Sequence, residues 1–169
     1  MTTNLSQPLH APDLLFSSLR TAEALITVSL RMRALHWRAQ AQDHPDWRGG
    51  FQASGLPSWA VTAFDRLFQI VASAARCPLD VRSVDCPQLG SDEGQFLQVL
   101  SHFQHCRSEQ AEVILRGWLP AAAFRLAAYP AASLACALQQ AALVIPLRGV
   151  AAPVTAHQLS ANRGLGWMQ

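Results

Sequence analysis

The chain has 169 residues, half of them hydrophobic and 14% charged. That is enough apolar material for one buried core, and it excludes a chain disordered throughout. All thirteen basic residues are Arg and the net charge is only +2, spread along the chain, so the basic field of a general nucleic-acid binder is absent and no nucleic-acid partner is expected.

Residues 1–11 are polar and read as a flexible lead-in. They lack the basic and apolar regions of a secretory signal, which places the expectation in a reducing cytoplasm without structural disulfides. Arg-only, Ala-rich usage fits a GC-rich bacterial source. Asp13 is placed to start a long first helix running to about Gln40, with Leu15, Leu19, Ala22, Ile26 and Leu30 at helical spacing. Arg20, Glu23, Thr27 and Arg31 trace the opposite stripe, the polar face of an amphipathic helix. Arg31, Arg33 and Arg38 fall in its last turns, where cations suit the helix dipole, and Asp43 and Asp46 are placed to meet their charge. Arg33 and Trp37, four residues apart, can stack as a cation–π pair.

The Pro- and Gly-containing stretch 43–57 reads as a loop. Ser58 opens a second helix with Val61, Phe64, Leu67, Phe68 and Val71 on one side, ending near Arg76 because Pro78 disfavours helical geometry before it. Residues 77–90 form a linker carrying the dipeptides Cys77-Pro78 and Cys86-Pro87. Ser91 is the expected cap of a third helix, with Asp92 and Glu93 in its first turn and Phe96, Leu100 and Phe103 facing a core. Ser108 is the expected cap of a short fourth helix running to about Gly117. Pro120 opens a fifth that stops before Pro130, and Ala131 to Val144 make a sixth. Residues 148–169 read as an irregular tail. The expectation is an all-α, single-domain bundle of five to six helices spanning 12–147, in two blocks joined by the Cys-Pro linker.

Leu126 to Leu147 carry no charge over 22 positions, a length that would cross a bilayer. Gln139, Gln140, Pro130 and Pro146 favour a packed internal helix instead, and no membrane contact is expected.

Chemistry is sparsely signalled. Cys77 and Cys86, with His102 and Cys106 four residues apart on the third helix, are the candidate metal or redox residues for zinc, haem or a regulatory disulfide. The distance along the helix from Ser91 to His102, about 16 Å, argues against one shared zinc site. His36, Trp37, His44 and Trp47 are candidates for a ligand pocket near the first loop. No phosphate-binding Gly loop, nucleophile elbow or paired Glu-x-x-His appears, so no catalytic residue and no cofactor is assigned. Low charge and Ala-rich later helices point instead to an interaction or accessory module, with a protein partner or a homo-oligomer covering Leu126, Tyr129, Leu134, Leu138 and Leu143. The alternative is a metal-, haem- or redox-responsive protein using Cys77 and Cys86.

Overall fold

The hydrophobic periodicity resolves into six α-helices with no strand among residues 14–39 and 46–148, which the computed structural model describes. They are α1 (Thr21–Ala39), α2 (Arg48–Ala53), α3 (Ser58–Ala74), α4 (Ser91–Gln104), α5 (Ser108–Trp118) and α6 (Ala121–Gln140). The all-α class is the observed class. α3 packs on α6, α4 lies against α6, α5 and α1, and α2 bridges α1 and α3. Through the middle runs a chain of aromatic rings. Trp47, Phe51 and Phe64 meet at 5.1–6.0 Å between centroids, Phe64 leads to Phe96 at 5.9 Å and Phe96 to Trp118 at 6.4 Å. These edge-on and tilted contacts add directional preference to plain burial.

The first helix is shorter than its apolar repeat suggests. Asp13 lies outside the described residues, and Leu14 to Arg20 are not α-helical. A single 3-10 turn, Phe16–Ser18, sits there instead. Backbone bonds from Phe16 N–H to the Pro87 carbonyl (2.7 Å) and from Leu89 N–H to the Leu14 carbonyl (3.0 Å) pull this segment against the Cys-Pro linker. Helical geometry begins at Thr21, where the Glu23 carboxylate accepts from the Arg20 N–H at 2.8 Å, a side chain capping its own first turn.

The polar stripe of α1 does not face water. Glu23, Thr27 and Arg31 are all buried. Arg31 Nε and Nη2 donate to the two oxygens of Glu93 at 2.8 and 2.9 Å, and neither side chain is exposed. The rest of the guanidinium reaches the linker: Nη1 donates to the carbonyls of Cys86 (2.7 Å) and Val84 (3.4 Å), Nη2 to that of Gln88 (2.8 Å). The carbonyls of residues 84, 86 and 88 converge on the guanidinium from a turn, closed by the Cys86 N–H to Ser83 carbonyl bond at 3.1 Å, and from the chain that leaves that turn. Glu93 takes two further bonds, from the Arg82 and Gly90 N–H groups at 3.0 and 2.8 Å. All five donors of the guanidinium and four acceptor sites of the carboxylate are thereby used, the condition under which a buried ion pair is tolerated.

Helix ends differ from their sequence signals. Ser91 is the first residue of α4 and Gly90 its N-cap. The capping oxygen comes from the linker, where Asp80 Oδ2 accepts from Ser91 N–H (2.8 Å) and Ser91 Oγ (3.1 Å). The stretch read as a loop over 43–57 contains α2. The expected fifth and sixth helices are one, because α6 continues through Pro130. Pro130 cannot donate to the Leu126 carbonyl, but Leu126 is exposed, so water can meet that carbonyl and the usual cost of an internal proline falls. α6 also ends at Gln140, short of Val144. Ala142 adopts φ 57°, and the N–H groups of Ala142 and Leu143 bond back to Gln139 and Leu138 at 3.0 and 2.8 Å, a Schellman motif built on alanine.

Beyond α6 the chain straps back over α4. Gln104 Oε1 accepts from Ile145 N–H at 2.8 Å, and its amide nitrogen donates to the Leu143 carbonyl at 2.9 Å. Arg148, expected to begin an irregular tail, pairs with buried Glu23 at 2.7 and 3.0 Å. That carboxylate holds the guanidinium's pKa above its ordinary value. α6 itself is long and apolar enough to cross a membrane by length and composition alone. Ala127, Ala131, Leu134, Ala135 and Leu138 on one side of it are buried in the bundle core.

Candidate functional site

α3 and α6 bury small residues where they pack, Ala60 and Ala63 on one and Ala127 and Ala131 on the other. Small side chains let the two backbones approach closely. Larger residues flanking that seam then stand out from it, and an open groove of about 580 Å³ lies between them. Trp59 and Ile70 on α3 and Leu126, Tyr129 and Pro130 on α6 form its apolar lining. Leu126 is 67% exposed and Tyr129 80%, with Trp59 close to half-exposed. Exposed apolar groups scattered singly are ordinary, but three large ones around one groove are a patch.

Two cations complete the lining, Arg66 and Arg125. Among the described residues neither makes an ion pair or a side-chain hydrogen bond. No acid competes for them on these helices. Asp65, the only carboxylate of α3, is held by Arg33 Nε at 2.7 Å and by Gln69 at 2.9 Å, and α6 contains no Asp or Glu.

The expected interface residues therefore divide. Leu126 and Tyr129 are on the surface, whereas Leu134 and Leu138 are fully buried in the bundle core and Leu143 is half-buried in the strap, so these last three cannot form an exposed face. Trp59, Ile70 and Arg66 were not expected at this surface. The signal available was a large aromatic at the second position of a helix whose apolar side is already filled by Phe64, Leu67 and Phe68.

The candidate pocket residues are also separated by the fold. Trp47 is buried between Phe51 and Phe64 and belongs to the core. Trp37 is half-exposed, packs edge-on against Phe68 at 6.0 Å, and carries Arg33 over its ring at 5.6 Å. The Arg33 charge is met by Asp65 and not by Asp46. The Asp46 carboxylate accepts from the Arg48 backbone N–H at 3.0 Å and pairs with its guanidinium at 3.1 Å, and these bonds hold its carboxyl below the usual range. His36 Nδ1 lies 2.8 Å from the Met32 carbonyl. Asp43 and His44 lie outside the described residues.

Cys77, Cys106 and Cys136 are exposed, Cys86 is half-buried, and all four thiols are free. No group of three or more His, Cys, Asp or Glu side chains converges as a metal would require among the described residues. Cys106 is not on α4 at all. It follows the helix with φ 56°, and the N–H groups of Cys106 and Arg107 return to the carbonyls of Phe103 (3.2 Å) and His102 (2.8 Å). That is a second Schellman turn, so the same-face spacing with His102 does not apply. His102 is buried with Nδ1 unpartnered; burial, then the nearby Arg107 and His105 charges, push its pKa down.

Comparison of the chain with protein families, with curated proteins and with solved structures finds no match.

Proposed function

We propose that this chain is an interaction or accessory module, without catalytic activity of its own, that acts by binding a protein through the α3–α6 face. The observation that carries this reading is the exposure of Leu126 and Tyr129 beside Trp59 around an open groove. Burial of such side chains is worth about 1.5–3 kcal/mol each, a strong driving force for association. The Cys-Pro linker has a structural part in this scheme: its carbonyls take up Arg31, its Asp80 caps α4, and Val81 and Leu89 anchor it in the core.

Site-directed photo-crosslinking in the source cells tests the reading. A benzophenone side chain at position 129 or 59 should give discrete adducts. The same group at Val113, also exposed but on α5, should not. Equal adducts from all three positions, or none from 129 and 59, would refute the α3–α6 face as an interaction surface.

A further inference from the structure

We infer that the occupant of the α3–α6 groove is an acidic helical segment of another protein, its apolar side seated between Trp59 and Tyr129 and its carboxylates on Arg66 and Arg125. The inference rests on the interaction reading above and adds the chemistry of the partner. Charge complementarity carries it. Every other element of the groove is apolar or neutral, and the two guanidinium groups have no acid of their own to meet among the described residues. Elsewhere Arg31, Arg33, Arg48, Arg82, Arg116 and Arg148 each meet an acid. Arg20, Arg38, Arg76 and Arg107 do not among the described residues, but none of those four lines this groove, where two such cations flank one apolar lining. An apolar groove flanked by two uncompensated Arg matches a ligand that brings carboxylates.

The same count weighs against the other occupants. A second copy docked face to face would set Arg66 and Arg125 against each other's copies with no acid between them, a like-charge arrangement that disfavours the pairing. Residues 149–169 of the chain contain no Asp or Glu, and residues 1–13 contain one, Asp13, so neither terminus supplies the missing charge. An anionic bilayer would satisfy the charge but not the shape, because membrane anchors protrude whereas this lining is concave. A groove between two helices suits a third helix laid along it. From Trp59 to Ile70 the lining runs about 16 Å, roughly three turns. Its volume of about 580 Å³ accommodates a row of large side chains.

The test is selection from a displayed library of random peptides of about 16 residues, long enough for roughly four helical turns. The folded protein is the target, with the Leu126→Asp/Tyr129→Asp variant as counter-target after circular dichroism shows that it keeps its helices. Enriched peptides should combine apolar residues at three- and four-residue spacing with Asp and Glu. Arg66→Glu/Arg125→Glu should weaken them about tenfold or more, and Lys in place of their acids should restore binding to that variant. Apolar peptides free of acids, or basic ones, would overturn the acidic partner and leave the interaction reading standing. No enrichment over the counter-target would also overturn it, and adducts from position 129 would then decide separately whether the face binds anything. Binding to phosphatidylglycerol vesicles lost in Leu126→Asp, or a dimer dissolved by that change, would replace the partner helix with a membrane or a second copy.

Discussion

Arg31 on one side of the molecule and Arg66 with Arg125 on the other carry the same side chain in opposite settings. Arg31 is sealed inside with every donor bonded. Arg66 and Arg125 are exposed, without an ion pair among the described residues, in a groove whose other lining is apolar or neutral. The α1–α4 seam thus places charge within, while the α3–α6 face places Leu126, Tyr129 and Trp59 without. The difference shows that the buried ion pair is admitted with its partnership complete, although the unpartnered Thr27 Oγ1 and His102 Nδ1 show that neutral polar atoms here are not held to the same condition. The Arg31 and Glu93 charges are admitted because the chain itself supplies all their partners, whereas Leu126, Tyr129 and Trp59 remain outside beside two cations that have no acid among the described residues.

The largest way to break this contrast is at the seam. Arg31→Met should cost about 3–5 kcal/mol, because it leaves Glu93 buried with half its bonds and strips three linker carbonyls of their donor. Urea unfolding gives the value, and a loss below about 1 kcal/mol would mean that water replaces the guanidinium. Adding Glu93→Leu should recover only part of the loss, since the carbonyls of Val84, Cys86 and Gln88 stay unpaired. Full recovery would show that the ion pair and not the clamp on the linker matters. A smaller effect is expected at Gly90, where φ is ordinary but a Cβ would collide with the Asp80 carbonyl. Because that obstacle is backbone, Gly90→Ala should cost about 1–3 kcal/mol.

What could be read from sequence follows the same division. Apolar periodicity located α3, α4 and α5 to within a few residues, since those helices bury a conventional stripe. It misplaced the role of Glu23, Thr27 and Arg31 because a polar stripe that faces water and one covered by a linker and a strap have identical spacing. The covering segments come from residues 84–93 and 143–148, and nothing local to α1 announces them. Helix ends were missed where the left-handed position is not glycine. Gly55 ends α2 in the usual way, with φ 70°, but Cys106 and Ala142 do the same work without the signature. The candidate site was half legible: Leu126 and Tyr129 stood out, but the residues that line the groove from α3 required the packing.

Those two turns give the next prediction. Holding an L-residue at positive φ is unfavourable, so Ala142→Gly and Cys106→Gly should each stabilise the fold by about 0.5–1 kcal/mol, read as a shift in urea midpoint. Destabilisation by either change would mean that the side chain contributes packing that its exposure does not suggest. His102 supplies a pH-dependent effect of definite sign. Its folded pKa lies below the usual value of 6.5 because burial disfavours the cation. The folded state therefore holds fewer protons than the unfolded one as pH falls through 6.5, and stability is present above that value and declines below it until the folded pKa is passed. His102→Leu should flatten that slope, whereas an unchanged slope would assign it to the carboxylates.

The smallest stability effect, and the one that defines the other half of the contrast, belongs to the α3–α6 face. If Arg66, Leu126 and Tyr129 contribute to binding and not to folding, Arg66→Glu and Tyr129→Asp should each change unfolding free energy by no more than about 0.5 kcal/mol, as for surface positions without local partners. The reason lies in what each side chain lacks: no ion pair or side-chain hydrogen bond for Arg66 among the described residues, and four-fifths exposure for Tyr129. Natural selection for monomer stability alone gives no physical reason to keep a tyrosine there, since its ring gains little from a fold that leaves it in water. A loss above about 1 kcal/mol on Tyr129→Asp would show that the ring holds α6 onto α3, and the groove would then be part of the fold rather than a place for a partner.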